Sequence, residues 1–263
     1  MKSNTPRDVG VGVGVGAFSG LMGVGGGIIL MPYLLMVRKI PQKTASATSL
    51  VLVAMGAFTG SITYALEGHV AWIPAVFIVI GGLAGAWLGT HLVQKMRDHR
   101  IQLAFGVLLV LVAIRMFFSV GSGGADDVYQ LQALSVLGVV VYVISGLAMG
   151  VLSALFGIGG GIIMVPILSV GFGYGQQLAN GTSLAVMLPI ALLGAIRLTK
   201  PGYTDWPVGL RLGIGAAVGA IVGAAIAVNV NGDVLRFAWA VLLLVLGVRM
   251  VIQSWKAPKA EPT

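Results

Sequence analysis

Long apolar stretches follow one another from end to end of this chain, separated by short polar ones. Residues 9–37, 45–66, 71–93 and 101–120 are apolar, and the pattern resumes at 134–170, 179–198, 207–228 and 235–252. A helix needs about 20 apolar residues to cross a hydrocarbon core of ~30 Å, and most of these runs have that length. The first run of each set differs. As one straight helix, residues 9–37 would measure ~43 Å, which overshoots the core. Its middle, Gly23-Val24-Gly25-Gly26-Gly27, is poor helix-forming sequence by up to ~1 kcal/mol per glycine. The pattern therefore predicts two half-helices of about 12–14 residues meeting near the bilayer midplane. Non-helical backbone at that depth must be surrounded by protein or water rather than lipid.

The two sets of runs are one unit written twice. Residues 23–32, GVGGGIILMP, recur 134 positions later at 157–166 as GIGGGIIMVP. Without a gap, Ser19 then meets Ser153, Thr48-Ser49-Leu50 meets Thr182-Ser183-Leu184, and Trp72 meets Trp206. The chain divides into a first repeat, 1–120, a polar linker, 121–133, and a second repeat, 134–263. Residues 1–22 have the outline of a secretory signal. The segment Gly16 to Met22 has its counterpart deep inside the chain, so it is expected to belong to the fold.

Composition fixes the class. Apolar residues make up 57% and charged residues 9%, against roughly 25% charged in soluble domains, and the mean hydropathy is +0.99. The expected fold is an all-α integral membrane protein with about seven or eight membrane segments, its two repeats inverted. The net charge of +8 does not point to nucleic acid, because the basic residues lie between apolar runs, where membrane topology needs them. There are no cysteines, which excludes a disulfide framework and a thiolate metal site.

Charge separates two topologies. If the broken run crosses fully, the repeats are parallel and the 16 basic residues divide almost evenly. If it is a re-entrant hairpin, each repeat crosses three times and the repeats are inverted. Then only Arg115 and Arg236 fall on one side, and the other fourteen on the opposite side. The positive-inside rule favours the second arrangement, with both termini cytoplasmic. Against it, residues 134–156 are long enough to span alone.

The glycine breaks carry the strongest functional signal: Gly23, Gly25, Gly26 and Gly27, and Gly157, Gly159, Gly160 and Gly161. A helix starting after each break offers unpaired N–H groups and a partial positive charge, and glycine lets a ligand approach that backbone. Two such ends facing each other would form an anion site. Thr48, Ser49, Asn180, Thr182 and Ser183 open the following helix of each repeat and add neutral donors. Gly81, Gly85, Gly89, Gly215, Gly219 and Gly223 read instead as close helix packing. Gly10, Gly12, Gly14 and Gly16 imitate a dinucleotide loop but follow no strand. No carboxylate lies within a span, His91 sits near a span end, and no pair of acid–base or metal-binding side chains lies within the spans. Neither an enzyme, a cofactor nor a metal is expected.

The pattern G-(L/A)-x-G-(V/I)-G-G-G-x-(I/L)-x-x-P followed by A-x-(A/G)-T-S-L occurs twice, from Gly20 and from Ala154. It resembles the sulfite exporter TauE/SafE family, also called TSUP. The resemblance implies a multipass carrier of the prokaryotic plasma membrane for sulfite, sulfonates or related carboxylated anions. The expectation is a secondary transporter working by alternating access at a midplane site, with a passive anion channel as the alternative. Its partners would be a small anion and the lipid bilayer, with a coupling ion (H+ or Na+) and a homo-oligomer left open.

Overall fold

The computed structural model describes residues 5–92, 109–111, 113–118, 135–156, 159–200 and 202–256. The linker at 121–133, Gly157 and the basic residues Lys2, Lys95, Arg97, Arg100 and Lys259 lie outside them. The first repeat contains α1 (Thr5–Met22), α2 (Gly27–Pro32), α3 (Gln42–Leu66) and α4 (Trp72–Leu92). The second contains α5 (Val136–Phe156), α6 (Gly161–Pro166), α7 (Gln176–Thr199), α8 (Trp206–Asn229) and α9 (Gly232–Lys256). Five described helices, α3, α4, α5, α7 and α8, are long and apolar enough to cross a membrane.

The broken run is a hairpin. Arg38, just past the returning segment, donates to Asp8 near the start of α1 at 2.6 Å, and Tyr33 donates to the same carboxylate at 3.2 Å. Ends of the run that are thirty residues apart therefore lie at one face. From Asp8 to Met22 the incoming arm rises only about 21 Å, short of the core thickness. The second repeat does the same. Tyr142 stacks on Phe172 with centroids 4.2 Å apart, and its hydroxyl lies 2.8 Å from that of Tyr174. The six residues of α5 before Tyr142 overhang the hairpin mouth, so its length does not make it a full crossing. The incoming arms, at 18 and 21 residues, are longer than the half-helices expected from the pattern.

Each returning arm changes pitch at a proline. Pro32 and Pro166 are followed by one π-helical turn, Tyr33–Val37 and Ile167–Gly171. Proline lacks an N–H and crowds the carbonyl four residues back, and the wider turn accommodates this. The arm stays continuous over Gly27–Val37 and Gly161–Gly171.

The repeats interleave. α1 packs most extensively on α8 and α4 on α5, while α3 and α7 cross at the centre. Glycine makes these seams. A Cβ on Gly12, Gly16 or Gly20 would collide with the backbone of Leu212, Ala216 or Ala220. One on Gly215, Gly219 or Gly223 would strike the carbonyl of Val9, Val13 or Ala17. Gly81, Gly85 and Gly89 meet α5 in the same way at Val143, Leu147 and Val151. Without a hydrophobic force between helices in lipid, such backbone approach supplies the packing. These pairings run parallel: α1 and α8 both start from the face that bears Asp8, and α4 and α5 both start from the other.

The repeats are thus inverted, and the charges follow. Lys43 lies over the Tyr203 ring at 5.7 Å and Arg197 over Trp87 at 5.6 Å, both at the Asp8 face. Arg236 opens α9 at the opposite face, and the Phe117–Phe237 contact brings the helical residues 113–118, Arg115 among them, to that face.

Candidate functional site

The last turn of α1 ends inside the protein, where its carbonyls have no helical partner. Side chains from α3 and α7 supply the donors. Tyr64 donates to the Gly20 carbonyl at 2.9 Å, Asn180 to Leu21 at 3.1 Å and Ser183 to Gly23 at 3.0 Å. The Gly23 amide closes back on the Ser19 carbonyl at 2.7 Å. Asn180 is in turn held at Oδ1 by Gln176 Nε2 at 3.0 Å and by the Trp239 indole at 3.2 Å. Tyr64, Gln176, Asn180, Ser183 and Trp239 are all buried.

Beyond that turn the chain reverses through glycines in the left-handed region. Gly23, Gly25 and Gly26 have φ of 68°, 80° and 75°, and Gly159 and Gly160 have 84° and 79°. A side chain at any of them would be strained. Gly26 and Gly160 cap α2 and α6, each accepting at its carbonyl from the third and fourth residues on. Gly26 lies against Val15, and Gly160 against the equivalent Met149.

The two breaks touch. Gly161 faces the Gly23 carbonyl and the Cα of Val24. Gly25 and Gly159 both lie against Val53 and Met187, which are themselves equivalent positions of the two repeats. The local twofold therefore passes between Val53 and Met187, and in this conformation these apolar side chains fill the space between the breaks.

The other expected residues surround this centre. The Thr48 hydroxyl accepts from the Asp205 amide at 3.0 Å, and the Thr182 hydroxyl accepts from the Ala71 amide at 2.9 Å. Each threonine thereby pins the loop that opens a helix of the other repeat. A hydroxyl that accepts one bond keeps its own proton to donate. Ser49 donates to the Ser46 carbonyl at 2.8 Å. Both threonines and both serines are fully buried. Gly23, Gly25, Gly26, Gly27, Gly159, Gly160, Gly161, Asn180 and Ser183 come together at the two breaks, while Thr48 and Thr182 lie toward opposite faces.

Sequence reasoning missed several groups. Asp8, at the chain's polar start, is completely buried. Gln176 and Trp239, on α7 and α9, meet only through Asn180. The hydroxyls of Ser19 and Ser153, equivalent in the repeat, are buried without a hydrogen-bond partner, as are Ser46 Oγ and Gln176 Oε1. The Ser19–Ser153 identity was the one signal available beforehand.

Paired re-entrant hairpins, inverted repeats and a buried polar centre define a multipass membrane transporter. The sulfite exporter TauE/SafE family matches residues 1–116 and 142–263, and the chain belongs to that family. It is a transporter family and not one of enzymes. A "probable membrane transporter protein" of Xylella fastidiosa strain 9a5c is 28% identical over 94% of this chain and 95% of its own length. One from Methanocaldococcus jannaschii is 27% identical over 92% and 93%, and one from Bacillus subtilis 28% over 76% and 81%. No solved structure matches the chain.

Proposed function

We propose that this protein is a secondary carrier of small sulfur oxyanions, sulfite, sulfonates or related carboxylated anions, working by alternating access. The observation that carries this reading is the meeting of the two breaks. The arms Gly27–Val37 and Gly161–Gly171 begin there and run out to opposite faces, and their first amides have no helical acceptor. An oxyanion between them would meet two positive helix ends without any buried cation to hold it. Gly25, Gly26, Gly27, Gly159, Gly160 and Gly161 would let it reach the backbone, with Gly23 at the entry of the first break and Gly157, outside the described residues, as its counterpart in sequence. Asn180 and Ser183 would stand beside it, and Ser49, Thr48 and Thr182 are counted with the site, the two threonines toward its two faces.

Val53 and Met187 fill the centre here, so binding requires them to part. Rocking of one hairpin against the other would open the centre to each face in turn. The charge split supports placing the Asp8 face, and both termini, in the cytoplasm.

The test is flux of sulfite and of a simple alkyl sulfonate in proteoliposomes. A carrier gives saturable flux, and counterflow when the opposite side is preloaded. Unsaturable flux without counterflow would replace the carrier with a channel.

A further inference from the structure

The two side chains that fill the centre differ in how they can move. Val53 and Met187 hold equivalent positions in α3 and α7, and both are fully buried. A Cβ on Gly25 or on Gly159 would run into the Met187 methyl group and into Val53 Cγ1. One on Gly161 would lie 2.9 Å from Met187 Sδ. Met187 thus lies against glycines of both hairpins, at the point where the two chain reversals meet.

Valine branches at Cβ and keeps one χ1 rotamer about 90% of the time in a helix. Taking Val53 out of the centre therefore requires α3 itself to move. Methionine has three rotatable bonds and a soft thioether, so its end can swing while α7 stays in place. That end is weakly held. Ser183 Oγ lies 3.6 Å from Met187 Sδ, but it stands closer to the Gly23 carbonyl, at 3.0 Å, and the oxygen is the better acceptor of its proton. Ser49 and Val53 repeat the same spacing in α3. Valine offers no acceptor, and Ser49 donates instead to the Ser46 carbonyl of its own helix.

We propose that Met187 is the plug of the transport site. Its thioether end swings aside as an anion enters and closes again afterwards, while Val53 stays as the fixed wall. Resting on the carrier reading, the space vacated sets the size of the anion: it is the room of one thioether end, which suits sulfite or a sulfonate with a short alkyl group. An anion there lies beside the hydroxyl that now faces Met187 Sδ, so Ser183 rather than Ser49 is the side-chain donor it meets.

The test uses the full-length chain, which has no native cysteine, with Ser183→Cys as a reporter beside the plug. A small methanethiosulfonate reagent should label it about tenfold faster with Met187→Ala than with Met187 in place. Leucine and isoleucine are isomers, and only isoleucine is branched at Cβ. Labelling should be about tenfold slower with Met187→Ile than with Met187→Leu, whereas a merely loosened core would label faster. Without the reporter, Met187→Ala should lower the half-saturation for flux and admit butanesulfonate, which the parent protein excludes. Equal labelling of the Leu and Ile variants would overturn the swinging plug, and that pair decides even if Met187→Ala does not fold. Butanesulfonate carried by the parent, or admitted by Val53→Ala and not by Met187→Ala, would overturn Met187 as the size limit. Labelling that follows the plug, with no flux of sulfite or sulfonate, would keep the plug and sink the carrier reading. Saturable flux with labelling indifferent to position 187 would do the reverse.

Discussion

Arg38 and Asp8 close the mouth of the first hairpin with a 2.6 Å ion pair. At the equivalent positions 134 residues later, Phe172 and Tyr142 close the second with an aromatic stack. One architectural joint is thus made in two chemistries. Asp8 is fully buried and the Arg38 side chain is 15% exposed. Removing one partner of a buried pair costs more than replacing both by apolar groups. Arg38→Ala should therefore destabilise the protein by roughly 2–4 kcal/mol, read as a lower melting temperature in detergent. The pair Asp8→Tyr with Arg38→Phe, copying the second mouth, should recover most of it. No recovery would mean that the charges act beyond closing the hairpin.

The glycine seams give a sharper contrast. Gly12 and Gly16 face α8, whereas a Cβ on Gly10 or Gly14 would meet nothing within 4 Å. Gly16→Val should lower the yield of folded protein, because overpacking against backbone costs about 1–3 kcal/mol or more. Gly14→Val should leave it unchanged. Size-exclusion profiles of the two variants are the measurement, and equal profiles would remove the seam from the account of packing.

That contrast also shows what the sequence could and could not disclose. Alternating Gly10, Gly12, Gly14 and Gly16 look uniform in sequence, and only helical phase against α8 separates the packed pair from the exposed one. The repeat, the breaks and the inversion were legible because each is a local pattern: the duplicated glycine motif and the placement of arginines and lysines. Asp8 was read as an end residue because nothing near it in sequence announces Arg38, thirty positions on. The Asn180 cluster joins Gln176, one helical turn away, to Tyr64 and Trp239 from two other helices, and no spacing rule reaches those two. Thr48 and Thr182 were singled out by duplication and by hydroxyls at the start of a helix. Duplication fits the loop anchoring observed as well as it fits substrate contact.

Those threonines can be tested by separating stability from binding. Thr182→Val removes the acceptor of the buried Ala71 amide, and an orphaned buried N–H costs about 1–3 kcal/mol. A fall in melting temperature with unchanged half-saturation for flux is expected if anchoring is its whole role. A half-saturation raised about 5- to 150-fold would give the hydroxyl a part in binding as well.

Topology can be read on a clean background, since the native chain has no cysteine. Single cysteines replacing Lys43 and Lys200 should both be labelled by an impermeant thiol reagent from the cytoplasmic side. Cysteines replacing Glu67 and Asn231 should be labelled from outside. Lys43 and Lys200 labelling from opposite sides would contradict the parallel pairing of α1 with α8 and the hairpin that Asp8 and Arg38 close.

The breaks themselves carry the last prediction. Gly26 and Gly160 cap the two returning arms at φ of 75° and 79°, and a side chain there presses on Val15 or Met149. Holding a non-glycine residue in that region costs roughly 1–2 kcal/mol, and overpacking against Val15 or Met149 about 1–3 kcal/mol more. Gly26→Leu and Gly160→Leu should therefore reach the membrane at a reduced level, and the protein that inserts should lose flux, because the side chain crowds the first amides of α2 and α6. Gly68 has a comparable φ of 75° but an open surrounding. Gly68→Asn, a residue that tolerates this conformation, should keep full flux and so separates backbone strain from the blocked approach. Normal half-saturation and normal rate in either break variant would make the glycines packing residues and move the anion site elsewhere.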